Sequence, residues 1–480
     1  MRPLRSLTAA LAALSFSTSA AAGPTLVIFG GADGPSNNQA SIEAQAKALL
    51  EVLGPAQPAL LFGGAGTRSV REETPGELDE DTGWLGAIFG AREGVVGHFR
   101  ATELPAIPAT WKSFKIAIDR GQTNPEGTII FGVGHGSGRS QDEAPTLSLW
   151  TQGGVNLESL ASHLDRKKRR GPLAMVLGQC YSGAFADLMY RGADPSAVIA
   201  EPTRCVLAAA PADRTASGCT SDVNDPWARA YMREIAEALR DPSSDLDQDG
   251  QISLAEAHAR AMIQDQTTDV PVRSSELYAR GLSESDQAPR LPFQDLLRAA
   301  DPEERAILSA LAPSGADDPR KAAETTKERV DQEAAAAEAH MNEAIHDAED
   351  AEDEAHRRVI ARWPDLISPY RPAARRLLAD STPAIIAEAR KSGLLRRIQS
   401  LDRVVGEADE RWSKLLRTSA RLERFLRTAE LVEAKQRLRE RAHPRELAIL
   451  DRLLRCERLS PLPSPLVTPA PSPIPKRRFR

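Results

Sequence analysis

The chain has 480 residues, too many for one ordinary core, so two or three domains are expected. Its 61 Lys plus Arg and 67 Asp plus Glu are interspersed, for a net charge of −6. No basic surface for nucleic acid is implied, and nucleic acid is excluded as a partner. Four cysteines are too few for a disulfide scaffold.

Residues 1–22 have the layout of a signal peptide. Arg2 and Arg5 give a positive start, Leu7 to Phe16 a short apolar run, and Ala20 to Ala22 a small-residue cleavage site. The run is too short to span a bilayer, and no later stretch is long and apolar enough. The chain is therefore expected to be exported, periplasmic or extracellular, with no membrane span in the mature part. Export permits disulfides. Of Cys180, Cys205, Cys219 and Cys456, Cys205 and Cys219 lie close enough in sequence to pair, leaving Cys180 free. Two unpaired buried thiols are the alternative.

Five apolar runs without alternation follow in chain order: Thr25–Phe29, Pro58–Gly64, Gly127–Gly136, Leu173–Cys180 and Cys205–Pro211. Helical patterns separate them, including Ile42–Leu53 and Leu157–Asp165. Such strands, buried on both faces and separated by helices, predict an α/β fold with a mostly parallel sheet. In such sheets the site lies at the carboxyl ends of the strands.

Strand signals stop after about Ser285. Residues 286–456 read as an all-α region. Val330, Ala334, Ala337, Met341, Ala344, Ala348, Ala351 and Ala355 step by four and three, a seam suited to a closely approaching helix. Trp363-Pro364 ends that helix. Residues 457–480 read as a Pro-rich basic tail. Residues 23–285 form the predicted α/β domain.

Two strand ends carry reactive side chains: His135 within "GVGHGSG" and Cys180 within "GQCYSG", 45 positions apart. That spacing allows one crossover helix, so both can reach one edge of the sheet. A cysteine attacks a carbonyl as a thiolate, and an adjacent imidazole helps to form it. Amides at Gly136 and Cys180 are candidate donors to a developing oxyanion.

Strand-His-Gly followed by strand-x-Cys-x-x-Gly resembles the caspase-like cysteine peptidases, which include caspases, metacaspases and legumains. The bacterial and legumain-like members are the nearest comparison. The resemblance covers about Thr25 to Leu282 and implies a caspase-like sheet with helices on both faces. It also implies a cysteine endopeptidase acting on peptide or protein substrates. By it, Cys180 is the nucleophile, His135 the general acid–base, and the Gly136 and Cys180 amides the oxyanion hole. Legumains carry a helical C-terminal extension over the active site, so the helices after the hinge Ala312–Pro319 are expected to bind either their own catalytic domain or another protein. The first loop lacks the arginine with which the family selects its cleavage site. Its Asn37, Asn38, Gln39 and Glu43 do not replace it, so the cleavage preference does not transfer. Asp213 and Asp222 are candidates for lining a pocket for a basic side chain.

"DLDQDGQISLAE", Asp245 to Glu256, fits a twelve-residue EF-hand calcium loop. Asp245, Asp247, Asp249 and Glu256 supply carboxylates, Gln251 a backbone carbonyl, and Ser253 a water-mediated contact. Helices are expected at Trp227–Arg240 and Leu254–Ile263. A single Ca²⁺ here is expected to stabilise the fold, and no cofactor is expected for catalysis.

Two alternatives remain. A caspase-like scaffold with a helical interaction module needs no activity. An α/β-hydrolase with a cysteine nucleophile is disfavoured because Ser182 stands where its elbow has glycine and because His135 precedes the nucleophile.

Overall fold

The computed structural model describes residues 23–462 except 65, 67, 76–94, 141–142, 152–153, 223–228, 283–289, 369–370 and 442. The predicted signal peptide and most of the Pro-rich tail lie outside these residues. A six-stranded sheet occupies the centre, in the order β11-β10-β9-β5-β1-β2. Its strands are β1 (Thr25–Gly31), β2 (Ala59–Phe62), β5 (Thr128–Gly134), β9 (Leu173–Leu177), β10 (Arg204–Ala208) and β11 (Val272–Arg273). All neighbours are parallel except the antiparallel edge strand β11.

Both faces of the sheet are apolar, which is why its strands read as unbroken apolar runs. Leu26, Ile28, Ile129 and Phe131 face one core, with helices α1 (Ala40–Leu53), α4 (Tyr231–Arg240) and α5 (Leu254–Gln264). Val27, Phe29, Ile130 and Met175 face the other, with α2 (Trp111–Arg120) and α3 (Leu157–Asp165). Two small antiparallel sheets were not foreseen: the hairpin β3 (Val70–Pro75) with β4 (Val95–Arg100), and the three short strands β6 (Gly136–Ser137), β7 (Thr146–Leu147) and β8 (Val155–Asn156).

The rest of the described chain is helical: α6 (Ser274–Leu282), α7 (Phe293–Ala299), α8 (Pro302–Leu311), α9 (Pro319–Arg362), α10 (Pro372–Ser392), α11 (Leu394–Arg441) and α12 (Pro444–Glu457). The predicted seam lies on α9 and is buried except for the half-buried Met341. Ion pairs Arg320–Glu433, Lys327–Glu423 and Arg397–Glu354 set α9 and α11 antiparallel.

This helical region shares a core with the sheet. Leu431, Ala434 and Leu438 of α11 and Leu450, Leu453 and Leu454 of α12 join the cluster that covers the first face. A buried ionic network reinforces it. Arg273 of β11 meets Glu304 of α8 at 2.7 Å and Glu457 of α12 at 3.6 Å, while Lys435 of α11 meets Glu304 at 2.7 Å and also Asp301. A buried cation left without its carboxylates would be strongly unfavourable, so the network ties these four elements together. Packing extends past Glu457: Leu459 O accepts from Leu254 N at 3.0 Å, and Ser460 Oγ donates to Ile252 O at 3.0 Å. The tail predicted from residue 457 therefore begins no earlier than residue 463.

The expected Cys205–Cys219 pairing does not occur. Cys205 is bonded to Cys456, 251 residues away, with Cα atoms 6.0 Å apart. Cys205 points from β10 into the core that α12 covers, whereas Cys219 lies beyond the sheet with Sγ donating to Gly134 O at 3.6 Å. Cys180 is free, as expected. Closing so long a loop removes enough unfolded-state entropy to stabilise by about 5 kcal/mol at most. Cys456→Ala should therefore lower the melting temperature by several degrees, and reductant should do the same to the wild type but not to the variant. Identical unfolding curves for all three samples would show that the bridge does not form.

Candidate active site

The pairing of β5 with β9 brings the two reactive residues together. Thr128 pairs with Leu173 and Gly132 with Leu177, and His135 and Cys180 each stand three residues beyond that last pair. Gly178 N donates to Gly132 O at 2.9 Å, continuing the pairing toward them. Neighbouring strands lie about 4.8 Å apart, so the chain delivers both residues to the same end of the sheet, equally far beyond the last β5–β9 pair. The Gly136 backbone also reaches the Cys180 backbone: a Cβ at Gly136 would lie 2.6 Å from Cys180 O. Only glycine permits that approach.

His135 is half-buried. Its Nε2 lies 2.8 Å from Gln39 Oε1 and 2.9 Å from Asn37 O. Both are acceptors, so Nε2 carries a hydrogen, and in the tautomer this selects the lone pair lies on Nδ1. Gln39 is oriented by its own amide nitrogen, which donates to Cys219 O at 3.5 Å.

Cys180 is also half-buried. Its Sγ donates to Ala216 O at 3.5 Å and accepts from Ala216 N at 3.3 Å. Burial pushes its thiol up from the ordinary range. The Ala216 amide opposes the rise and the nearby Asp269 adds to it. The resting sulfur is therefore a neutral thiol at pH 7. Among the described residues no direct hydrogen bond joins His135 to Cys180.

Two amides lie beside the cleft, those of Gly136 and Cys180. Ser148 N donates to His135 O at 3.0 Å, so Gly136 faces Leu147 in the non-hydrogen-bonded type of antiparallel pair. Its N–H is therefore left out of that ladder. The Cys180 N–H likewise has no backbone acceptor among the described residues. Tyr181 follows in the left-handed region at φ 59°, a strained setting for a non-glycine residue that often marks a functional turn. It is held by its N–H to Arg214 O at 2.7 Å. The segment after it, Ser182–Met189, is a 3₁₀ helix.

The other polar residues of the first loop serve the fold. Asn38 is buried and donates to Ser69 O, and buried Glu43 pairs with Arg100 at 2.6 Å. Asp213 is exposed and Asp222 half-buried, in the segment after β10. Gln39 was read only as polar, and Ala216 and Asp269 were not singled out. No local sequence signal marks a backbone amide or an acid contributed from 89 residues downstream of Cys180.

The acidic loop before α5 follows the predicted pattern in part. Carboxylate oxygens of Asp245, Asp247 and Asp249 lie within 4.8 Å of one another, a set that suits a hard divalent cation. Gly250 has φ +86°, as the sharp turn requires. Asp245 accepts from Asp249 N at 3.1 Å and Gly250 N at 3.0 Å. Glu256 stays outside this group. One of its oxygens accepts from Leu246 N and Asp247 N, and the other from Ser253 N and Oγ at 2.8 Å. The reason is local: Ser253 is the N-cap of α5 and Glu256 its third residue, so the two form a capping box. Gln251 N donates to Asp249 Oδ1 at 2.8 Å.

No protein-family model matches this chain, and no curated protein matches it either. Geometry alone therefore supports any reading of the site. Gly136→Ala would push a methyl group into the Cys180 carbonyl. It should cost about 1–3 kcal/mol of stability, as overpacking does, and should slow labelling of Cys180 by a thiol reagent. An unchanged melting temperature together with unchanged labelling would mean that the two backbones do not meet.

Proposed function

We propose that this chain is an exported cysteine endopeptidase of the caspase-like kind, with Cys180 as nucleophile and His135 as general acid–base. One observation supports it above all: the two residues each stand three positions beyond the last β5–β9 pair, beside the Gly136 amide, which its ladder leaves out, and the Cys180 amide, which has no backbone acceptor among the described residues. A peptide carbonyl placed there directs its oxygen at Gly136 N and Cys180 N. As Sγ attacks the carbonyl carbon, its proton passes to His135 Nδ1, because Nε2 already carries one. The imidazolium then protonates the leaving amine. Water, deprotonated by the same ring, hydrolyses the thioester and releases Cys180. The Cys205–Cys456 bridge supports export, because disulfides persist in oxidising compartments.

The helices after Arg320 do not favour a covering role. Among the described residues, none of their hydrogen bonds or ion pairs reaches His135 or Cys180. One of their links toward the cleft is Glu423 with Arg214 at 2.9 Å. A scaffold without activity is the second reading. The neutral thiol and the missing Cys180–His135 hydrogen bond favour it. Assay against a fluorogenic peptide library separates the two. Cys180→Ala should reduce turnover at least about a thousandfold with an unchanged fold, and His135→Ala should do nearly as much. Turnover that survives in Cys180→Ala would remove Cys180 as nucleophile, and a wild type inert to the whole library would favour the scaffold.

The same proposal includes one structural Ca²⁺ at Asp245, Asp247 and Asp249, with Glu256 joining only by leaving its capping contacts. A ligand of the folded state stabilises by mass action, by about 2.7 kcal/mol at a hundredfold excess over Kd. Calcium should raise the melting temperature, and Asp245→Ala should abolish the increment. A melting curve indifferent to calcium and to chelator would reject the site.

A further inference from the structure

Arg424 of α11 is completely buried, and a buried guanidinium must have its donors satisfied. It finds them at the end of α5 and in the turn that leads from it to β11. Nε donates to Asp269 O at 2.8 Å. Nη1 donates to Met262 O at 3.0 Å and Asp265 O at 2.6 Å, and Nη2 to Thr267 O at 2.9 Å. Met262 O is among the last carbonyls of α5, which lack helical partners and favour a cation. Within the turn, Asp265 accepts from Thr267 N at 2.6 Å and Thr267 Oγ1 from Asp269 N at 3.1 Å.

The turn bears on the candidate nucleophile through one carboxylate. Asp269 Oδ1 accepts from Ser217 N at 2.7 Å, and the preceding residue, Ala216, makes both backbone contacts with Cys180 Sγ. On its other side the segment is fixed to α1. Gly218 O accepts from Ser41 Oγ and Gln45 Nε2, each at 2.8 Å, and Cys219 O accepts from the Gln39 that orients His135.

We propose that Arg424 and Asp269 are positioning residues for Cys180: the helical region, through the turn that Arg424 holds, fixes Ser217 and so keeps the Ala216 amide on the sulfur. The inference rests on reading Cys180 as the reactive thiol, but not on peptide hydrolysis. Asp269 acts in two senses. As an acceptor it anchors Ser217, and as a charge it disfavours the Cys180 thiolate. Asp265, Arg424, Tyr231, Cys180 and Cys219 are the charged or titratable groups that interact with it. Burial and Asp265 push its carboxyl up, and Arg424 opposes them.

The two senses separate by substitution. Asp269→Asn keeps an acceptor oxygen and removes the charge, whereas Asp269→Ala removes both, so comparing the two tests the acceptor at equal charge. The readout is the rate of iodoacetamide alkylation at pH 7.5 in the full mature chain. It is followed by the mass of the Cys180 peptide, so that Cys219 is counted separately. Losing an amide that stabilises the thiolate removes a charge-assisted hydrogen bond, which lowers the thiolate fraction by roughly tenfold. Asp269→Ala should therefore react about tenfold more slowly than Asp269→Asn, and Arg424→Met should be slowed relative to wild type to a similar degree. Equal rates in the two Asp269 variants overturn the proposal, as does a folded Arg424→Met with the wild-type rate. Should Arg424→Met fail to fold, the Asp269 pair decides. A wild type that hydrolyses no peptide but shows this pattern would sink the peptidase and leave the positioning chain intact.

Discussion

The register of β5 on β9 is the constraint on which the candidate site depends. Parallel pairing at a fixed offset delivers two residues from different parts of the chain to one level only if both strands keep their pairing to the end. A slip by one residue would turn His135 to the opposite face from Cys180. The register is held from both sides. Ile129, Phe131 and Val176 are locked into one core and Ile130, Met175 and Leu177 into the other, so a slip would exchange the residues of the displaced strand between two close-packed layers. The small sheet β6–β8 then fixes the chain after His135, because Ser148 takes the His135 carbonyl and leaves the Gly136 amide out of the ladder.

The helical region belongs to this same construction. A tethered module would bury little surface against the sheet and place its charges in water. Here α11 and α12 contribute apolar residues to the core over β10, and Arg273, Lys435, Glu304 and Glu457 are buried between them. Such a network is weak evidence of added stability, since desolvation opposes the attraction, but it defines one arrangement of the helices against the sheet. Arg424 extends that arrangement to the turn at Asp269. Division of the chain at residue 285 thus marks a change in secondary structure and not a mechanical boundary.

What was legible in the sequence follows the range of the forces involved. Unbroken apolar runs identified five of the six strands of the main sheet, and an alanine spacing identified the buried face of α9, because burial acts through local pattern. The matched spacing of His135 and Cys180 was readable because each ends such a run. Two-residue strands such as β6, β7 and β11 lack enough residues to show a period. The disulfide was misassigned because proximity in sequence favoured Cys219, while the fold brings the C-terminal Cys456 onto β10. Arg424 carries no local sequence signal, and only the approach of four carbonyls from another part of the chain shows its role.

The electrostatics of the cleft determine what the proposed chemistry demands of this framework. Burial and Asp269 keep the proton on Cys180, and the Nε2 hydrogen of His135 is committed to Gln39 and Asn37. The site at rest thus has a thiol whose proton is held by burial, beside an imidazole whose Nε2 hydrogen is already engaged. In the proposed reaction the proton has to leave sulfur while the sulfur–carbon bond forms, with Nδ1 receiving it and the two amides taking the oxyanion. Catalysis of that kind depends less on thiol acidity than on alignment, where an error of about 1 Å can cost about a hundredfold. A paired strand edge, a glycine that lets two backbones meet, a glutamine shared between His135 and the 216–220 segment, and a buried arginine beneath that segment are the means by which this chain holds such an alignment.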